Sequence, residues 1–187
     1  AAAEALGNLG EAWADLGEPQ RAIEYPEPAL ALSREIGDRR GEGSYLGSLG
    51  NAYAALGEAR RAISCYEPAL TIAREIGDRR GEGAHLNNLG LAYADLGEAK
   101  RAIEHYDHAL DIAREIGDRR AEGSHLGNLG IAYVAMGEVR RAIEYYKRAL
   151  RIVRETSAAS PQGSAEWTAA RQAEGNRLGN LGTAYAA

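Results

Sequence analysis

Histidine, cysteine, arginine and asparagine are the side chains of this sequence whose spacing could do chemistry. His105 and His108 stand three apart, with Asp107 and Asp111 beside them, and that spacing can hold zinc on one helical face. The sequence fixes no third strong ligand, and the same places elsewhere in the chain hold Cys65, Pro68, Tyr145 and Arg148. No metal site is expected from a signal this weak. Cys65 is the single cysteine, which excludes a disulfide framework and a cysteine-built zinc site. There is no Gly-x-Gly-x-x-Gly after a strand, no phosphate loop with its Lys, and no Gly-x-Ser-x-Gly elbow. Pairs such as Arg74 with Asp78, or Glu75 with Arg79, are four apart and read as helix-surface support. Neither catalysis nor a cofactor is expected.

What recurs instead is a row of arginines and a row of amides. Arg40, Arg80 and Arg120 are forty residues apart, as are Asn8, Ser48, Asn88 and Asn128, with Asn180 following in the last segment. An arginine can grip a carboxylate through two parallel hydrogen bonds. An Asn side chain offers both a donor and an acceptor, so it can pair with the backbone of an extended peptide whatever that peptide's sequence. The set suits an acidic, partly apolar partner segment. The plainer alternative pairs these arginines with Glu42, Glu82, Glu122 or the next repeat's acids, in solvated contacts of little energetic weight.

The elements that must position these rows follow from an internal repeat. The phrase Leu-x-x-Leu-Gly starts at Leu6, Leu46, Leu86, Leu126 and Leu178. The units run over about 3–37, 38–77, 78–117 and 118–156, followed by an insertion at 157–168 and a last helix at 169–187, as one array over 1–187. In the second unit Leu46, Leu49 and Tyr53 recur at helical spacing. Gly57 then stops that helix. Ala62, Ile63, Tyr66, Ala69, Leu70 and Ala73 form the stripe of a second helix, Gly77 ends it, and Asp78 is placed to cap the next. A two-helix unit cannot bury its stripe alone, so it must stack on its neighbours. The face opposite the buried direction then carries Arg40, Ser48 and Asn51 in one unit, Arg80, Asn87, Asn88 and Leu91 in the next, and Arg120, Asn128 and Ile131 in the third.

Leu46-x-x-Leu49-Gly50-x-x-Tyr53, followed by Ala62, Tyr66 and Ala69, resembles the tetratricopeptide repeat (TPR). The forty-residue period, the GD-R-R-x-E-G junction and the NLG-x-AY helix are similar to a long-repeat subclass of Pins/LGN-type adaptors and bacterial arrays attached to NB-ARC or CHAT proteins. The resemblance implies an all-α protein, an α-solenoid of stacked antiparallel helix pairs wound as a right-handed superhelix. It further implies a concave groove, lined by the first helix of each pair, that receives a partner peptide or helix. TPRs that clamp chaperone C-termini use Lys, Asn and Arg at positions that here hold Gly7, Glu11, Ser48, Asn87 and Leu91, so that ligand class is not expected.

Glycines along the first helices are unusual. Gly43, Gly47 and Gly50 share one flank, as do Gly123, Gly127 and Gly130, and Gly175, Gly179 and Gly182. Each costs about 1 kcal/mol relative to Ala in a helix interior, so the flank reads as a surface of close helix approach. Pro26, Pro28 and Pro68 fall inside second helices, which predicts a broken or bent helix in the first unit and a milder kink in the second. Ser160-Pro161 or Ser164 is placed to open the last helix.

Composition narrows the function classes. The chain is 45% hydrophobic, too apolar for a disordered chain. Its formal charge of −5 argues against a nucleic-acid surface. No apolar run spans a membrane, and the start at Ala1, without Met or a signal peptide, reads as a fragment of a longer protein. The expected protein is a non-catalytic interaction module, bacterial and cytoplasmic, that binds a protein or peptide. A regulatory array controlling an ATPase, protease or DNA-binding domain is the alternative. An end-to-end oligomer through the C-terminal helix is the third.

Overall fold

The computed structural model describes residues 2–159 and 161–186; Ala1, Ser160 and Ala187 lie outside the described residues. The described residues form ten α-helices without strands, in two compact units, Ala1–Leu96 and Gly97–Ala187. The first unit holds α1 (Ala2–Asp15), α2 (Pro19–Glu24), α3 (Pro26–Ile36), α4 (Arg39–Ala55), α5 (Ala59–Glu75) and α6 (Arg79–Asp95). The second holds α7 (Ala99–Glu115), α8 (Arg119–Ala135), α9 (Val139–Ala159) and α10 (Ala165–Ala186). Helices consecutive in the chain pack on one another within each unit, α4 on α5 and α5 on α6, α8 on α9 and α9 on α10.

The repeat phrase writes the helix ends. Gly77 adopts φ 69° and its N–H reaches the Arg74 carbonyl, while the Asp78 N–H reaches back to the Ala73 carbonyl at 2.8 Å. Only a residue without Cβ enters that left-handed turn cheaply. The Asp78 carboxylate then accepts from the Gly81 N–H at 2.9 Å and caps α6. Asp38 and Asp118 cap α4 and α8 in the same way.

The three prolines behave differently. Pro26 and Pro28 both fall in the first turn of α3, where backbone N–H groups have no intrahelical partner in any case. The second helix of the first repeat is therefore split at Tyr25 into α2 and α3, as the sequence predicts. Pro68 instead sits inside α5, which remains one helix from Ala59 to Glu75. The insertion is also shorter than expected. α9 runs on to Ala159, and α10 begins at Ala165 rather than at 169. Ser164 opens it, its hydroxyl accepting from the Trp167 N–H at 3.1 Å; Ser160, the other candidate, lies outside the described residues.

The core of the first unit gathers Leu30, Leu46, Leu49, Cys65, Ala69 and Ile72 from three helices, with Ile23, Tyr45, Tyr53 and Ile76 around them. The glycine flank is where helices meet. A Cβ on Gly43 would stand 3.0 Å from Ile72 and one on Gly47 2.9 Å from His85, while one on Gly50 would enter the Tyr66 ring. Gly123, Gly127 and Gly130 meet Ile152, Arg177 and Tyr146 in the same order. Gly175, Gly179 and Gly182 of α10 have nothing within 4 Å of that position.

A buried carboxylate clamp closes each junction. Glu42 accepts from Arg34 at 2.9 Å and from Arg39 at 2.6 Å. Glu82 is held by Arg74 and Arg79, Glu122 by Arg114 and Arg119, and Glu174 by Arg154 and Arg171. All four glutamates are buried. The arginines that grip them from the first turn of α4, α6 and α8 are Arg39, Arg79 and Arg119, one position before Arg40, Arg80 and Arg120. The 52-residue last step keeps this clamp in register, because Arg171 stands to Glu174 as Arg119 does to Glu122.

Candidate functional site

In the first unit the amide row and the arginine row border a cavity of about 480 Å³. Arg40, Ser48, Asn51 and Asn88 line it, together with Ser44 and His85, over a floor of Ala69, Ile72, Ala73 and Ile76. The cavity exists because Gly43, Gly47 and Gly81 withhold side chains from its walls. A smaller hollow of about 280 Å³ uses the other side of Ser48 and Asn51 and adds Glu11 and Asp15.

The amides are not free along their whole row. The Asn51 carbonyl oxygen accepts from the Tyr66 hydroxyl at 2.8 Å and from the Asn88 amide at 3.1 Å. With both lone pairs engaged, Asn51 offers a ligand its N–H groups alone. Asn87 lies half-buried beside Asn88, and Asn8 is exposed on α1. Leu91 is 43% exposed on α6, on the helix that carries Asn88.

In the second unit Asn128 is half-buried and Ile131 is 49% exposed on α8, and Asn180 is half-buried on α10. The cavity here, about 340 Å³, takes only Arg120 from the predicted set. Its other walls are Arg119, Ser124, Glu166 and Arg177, over Ile152 and Val153. Arg40, Arg80 and Arg120 are all exposed.

The residues that stand against the glycine flank lie outside the predicted binding set, although their place just before a buried Leu marks His85 and His125 as partly buried packing residues. His85 and Arg177 occupy one repeat position, shared with Tyr45 and His125. Two of these side chains carry a buried nitrogen without a hydrogen-bond partner among the described residues, His85 Nδ1 and Arg177 Nε. The signal was available: the residue before the second-turn leucine is Tyr, His, His and Arg in turn, polar side chains at the edge of an apolar stripe. The Arg–Glu clamp was legible too, as an Arg eight residues before each Glu of the GDRRxE phrase.

Burial sets the titration of these groups. It holds the His85 and His125 imidazoles below their ordinary value of 6.5, with Asp78 and Asp118 opposing weakly. It also pulls the Arg177 guanidinium down. Hydrogen bonding from Arg34, and less from Arg39, holds the Glu42 carboxyl below the usual carboxylate range against the opposing cost of burial. A lowered folded-state value means that the unfolded chain binds more protons, so stability is lost as pH falls. The histidine contribution is fully present above 6.5 and declines below it. Urea midpoints should therefore drop between about pH 7 and pH 5, and His85→Tyr with His125→Tyr should flatten that slope. An unchanged slope in the double variant would refute the assignment.

Among the described residues no group of three or more His, Cys, Asp or Glu side chains is placed to hold a metal ion, and no helix is long and apolar enough to cross a membrane. His105 is half-buried and His108 exposed on α7.

The tetratricopeptide-repeat family model matches residues 1–75 and 81–155. The chain belongs to the tetratricopeptide-repeat family. Comparison with curated protein sequences gives no match. Among solved structures this TPR chain is similar to the Signal Transduction ATPase with Numerous Domains (STAND) protein with a tetratricopeptide repeat sensor from Pyrococcus horikoshii. That likeness has 21% identity and a TM-score of 0.81 and covers 98% of this chain and 27% of the other. BtubC (BKLC) from P. vanneervenii is 24% identical at a TM-score of 0.75, over 98% of this chain and 75% of that one. A Rap protein complexed with competence and sporulation factor is 20% identical at 0.75, over 82% of this chain and 43% of that one. At such identities the likeness shows the fold, a TPR-type α-solenoid of stacked antiparallel helix pairs. A TPR fold is generally a non-catalytic interaction scaffold.

Proposed function

We propose that this TPR chain is a non-catalytic, cytoplasmic, bacterial module that binds an acidic, partly apolar peptide or helix of a partner protein along the face of its first helices. The first-unit cavity carries this reading. It joins an exposed Arg40, the amides Asn51 and Asn88 and an apolar floor in one hollow of about 480 Å³, inside the range of roughly 300–1,000 Å³ typical of ligand sites. Arg40, Arg80 and Arg120 would take the acidic side chains. Asn8, Ser48, Asn51, Asn87, Asn88, Asn128 and Asn180 would meet the backbone, and Leu91 and Ile131 the apolar residues.

The test is an array of short peptides graded in acidic and apolar content, probed with the protein and with an Arg40→Ala, Arg80→Ala, Arg120→Ala variant. Each hydrogen bond to a charged group contributes about 1.5–3 kcal/mol, so the variant should lose acidic peptides by about tenfold or more. Unchanged affinity removes the arginines from the site, and an array with no binder removes the function.

The likeness to the sensor-bearing STAND protein favours a second reading, in which the array binds a ligand and controls an effector domain of a longer chain. Flanking sequence with a P-loop or a helix-turn-helix would decide for it.

A further inference from the structure

We infer that the second-unit cavity is a carboxylate pocket, in which Arg177 grips the anion and Ile152 and Val153 seat a short aliphatic group attached to it. The inference deepens the function proposed above and rests on it for the source of the ligand, a segment of a protein partner.

The repeat itself isolates Arg177 as the anomaly. Its position holds Tyr45, His85 and His125 in the other units, side chains that are neutral or nearly so at pH 7. Only α10 places a permanent cation there. Gly127 makes room, since a Cβ at that residue would overlap the guanidinium. The result is a half-buried arginine whose Nε is buried and has no hydrogen-bond partner among the described residues.

Desolvating a charge without a partner is costly, and sites that keep one hold it paired. Tyr146 is the side chain whose charge acts on Arg177, and carboxylates of the helices that form the cavity are committed elsewhere. Glu174, three residues earlier on α10, is held by Arg154 and Arg171. Glu155 and Glu122 are held by Arg119. Glu166 is exposed, and its charge interacts with Arg120. The cavity that Arg177 lines is about 340 Å³, with Ile152, Val153 and alanines of α10 as its apolar walls. A guanidinium whose Nε lacks a partner, above an aliphatic floor, fits a carboxylate on a short apolar stem. That stem can come from a chain terminus or from an Asp or Glu side chain of the partner segment.

The experiment titrates isotope-labelled protein with acetyl-Ala-Val bearing a free carboxylate, with its C-terminal amide, and with acetyl-Ala-Glu-Ala amide. The Arg177 Nε–H resonance should shift with a carboxylate-bearing peptide, which should bind about tenfold or more tighter than acetyl-Ala-Val amide. A response to the first peptide identifies a chain terminus as the source, and a response to the third identifies an acidic side chain. Arg177→Tyr, the residue found at position 45, should erase the preference, and Arg177→Lys should keep part of it. Equal binding of acid and amide, or a preference that survives Arg177→Tyr, overturns the inference. Should Arg177→Tyr not fold, the resonance and the acid–amide ratio decide it in the unaltered protein. Array peptides that bind through Arg40 and Arg80 without moving the Arg177 resonance would leave the proposed function standing and this pocket refuted.

Discussion

Replacing Gly130 with alanine lowers the stability of the protein, and the same replacement at Gly182 raises it. The two glycines occupy one position of the repeat. At Gly130 the added methyl would stand 2.5 Å from Tyr146 Cδ1 and 2.9 Å from Cζ, inside a ring that is itself 3% exposed. A buried ring has nowhere to move, and overpacking of that kind costs about 1–3 kcal/mol. Against this, Ala gains about 1 kcal/mol over Gly in a helix interior, leaving a net loss of up to about 2 kcal/mol. At Gly182 nothing lies within 4 Å of the new methyl, so only the gain of about 1 kcal/mol remains. Urea denaturation followed by circular dichroism reads both signs. A Gly130→Ala variant as stable as the parent would mean that α8 and α9 do not meet through the glycine flank.

Tyr66 carries the second large effect, because it ties the core to the candidate site. Its ring is 2% exposed against Gly50, and its hydroxyl donates to Asn51 at 2.8 Å. Truncation to Ala should cost about 3–5 kcal/mol, as for other buried aromatics. Tyr66→Phe keeps the ring and removes the hydrogen bond, at about 1 kcal/mol. The Phe variant also releases one lone pair of the Asn51 oxygen, leaving Asn88 as its remaining partner. Peptide binding should therefore change in Tyr66→Phe while the fold persists. Equal stability of the Ala variant and the parent would contradict the packing described here.

The clamp phrase shows how a repeat can be visible while its work is not. Sequence spacing locates Arg40, Arg80 and Arg120 on an outward face, and they are exposed. Arg39 reaches Glu42 rather than Arg40 because residues three apart share a face of α4 and residues two apart do not, whereas the reach of Arg34 from α3 depends on the angle at which the two helices meet. The fate of the prolines divides in the same way. The break at Pro26 and Pro28 could be foreseen from local sterics, whereas continuity through Pro68 reflects the packing of α5 between α4 and α6.

By itself the sequence determined the helices, their caps and their pairing. These follow from local rules: apolar residues at 3.6-residue period, Gly where backbone must turn left-handed, Asp where orphan N–H groups need an acceptor. The length of the insertion was decided only in three dimensions, as were the engagement of Asn51 by Tyr66 and the burial of the Arg177 Nε against Gly127. Each of those depends on which side chains from separate helices arrive at the same point, and linear spacing carries no information about that distance.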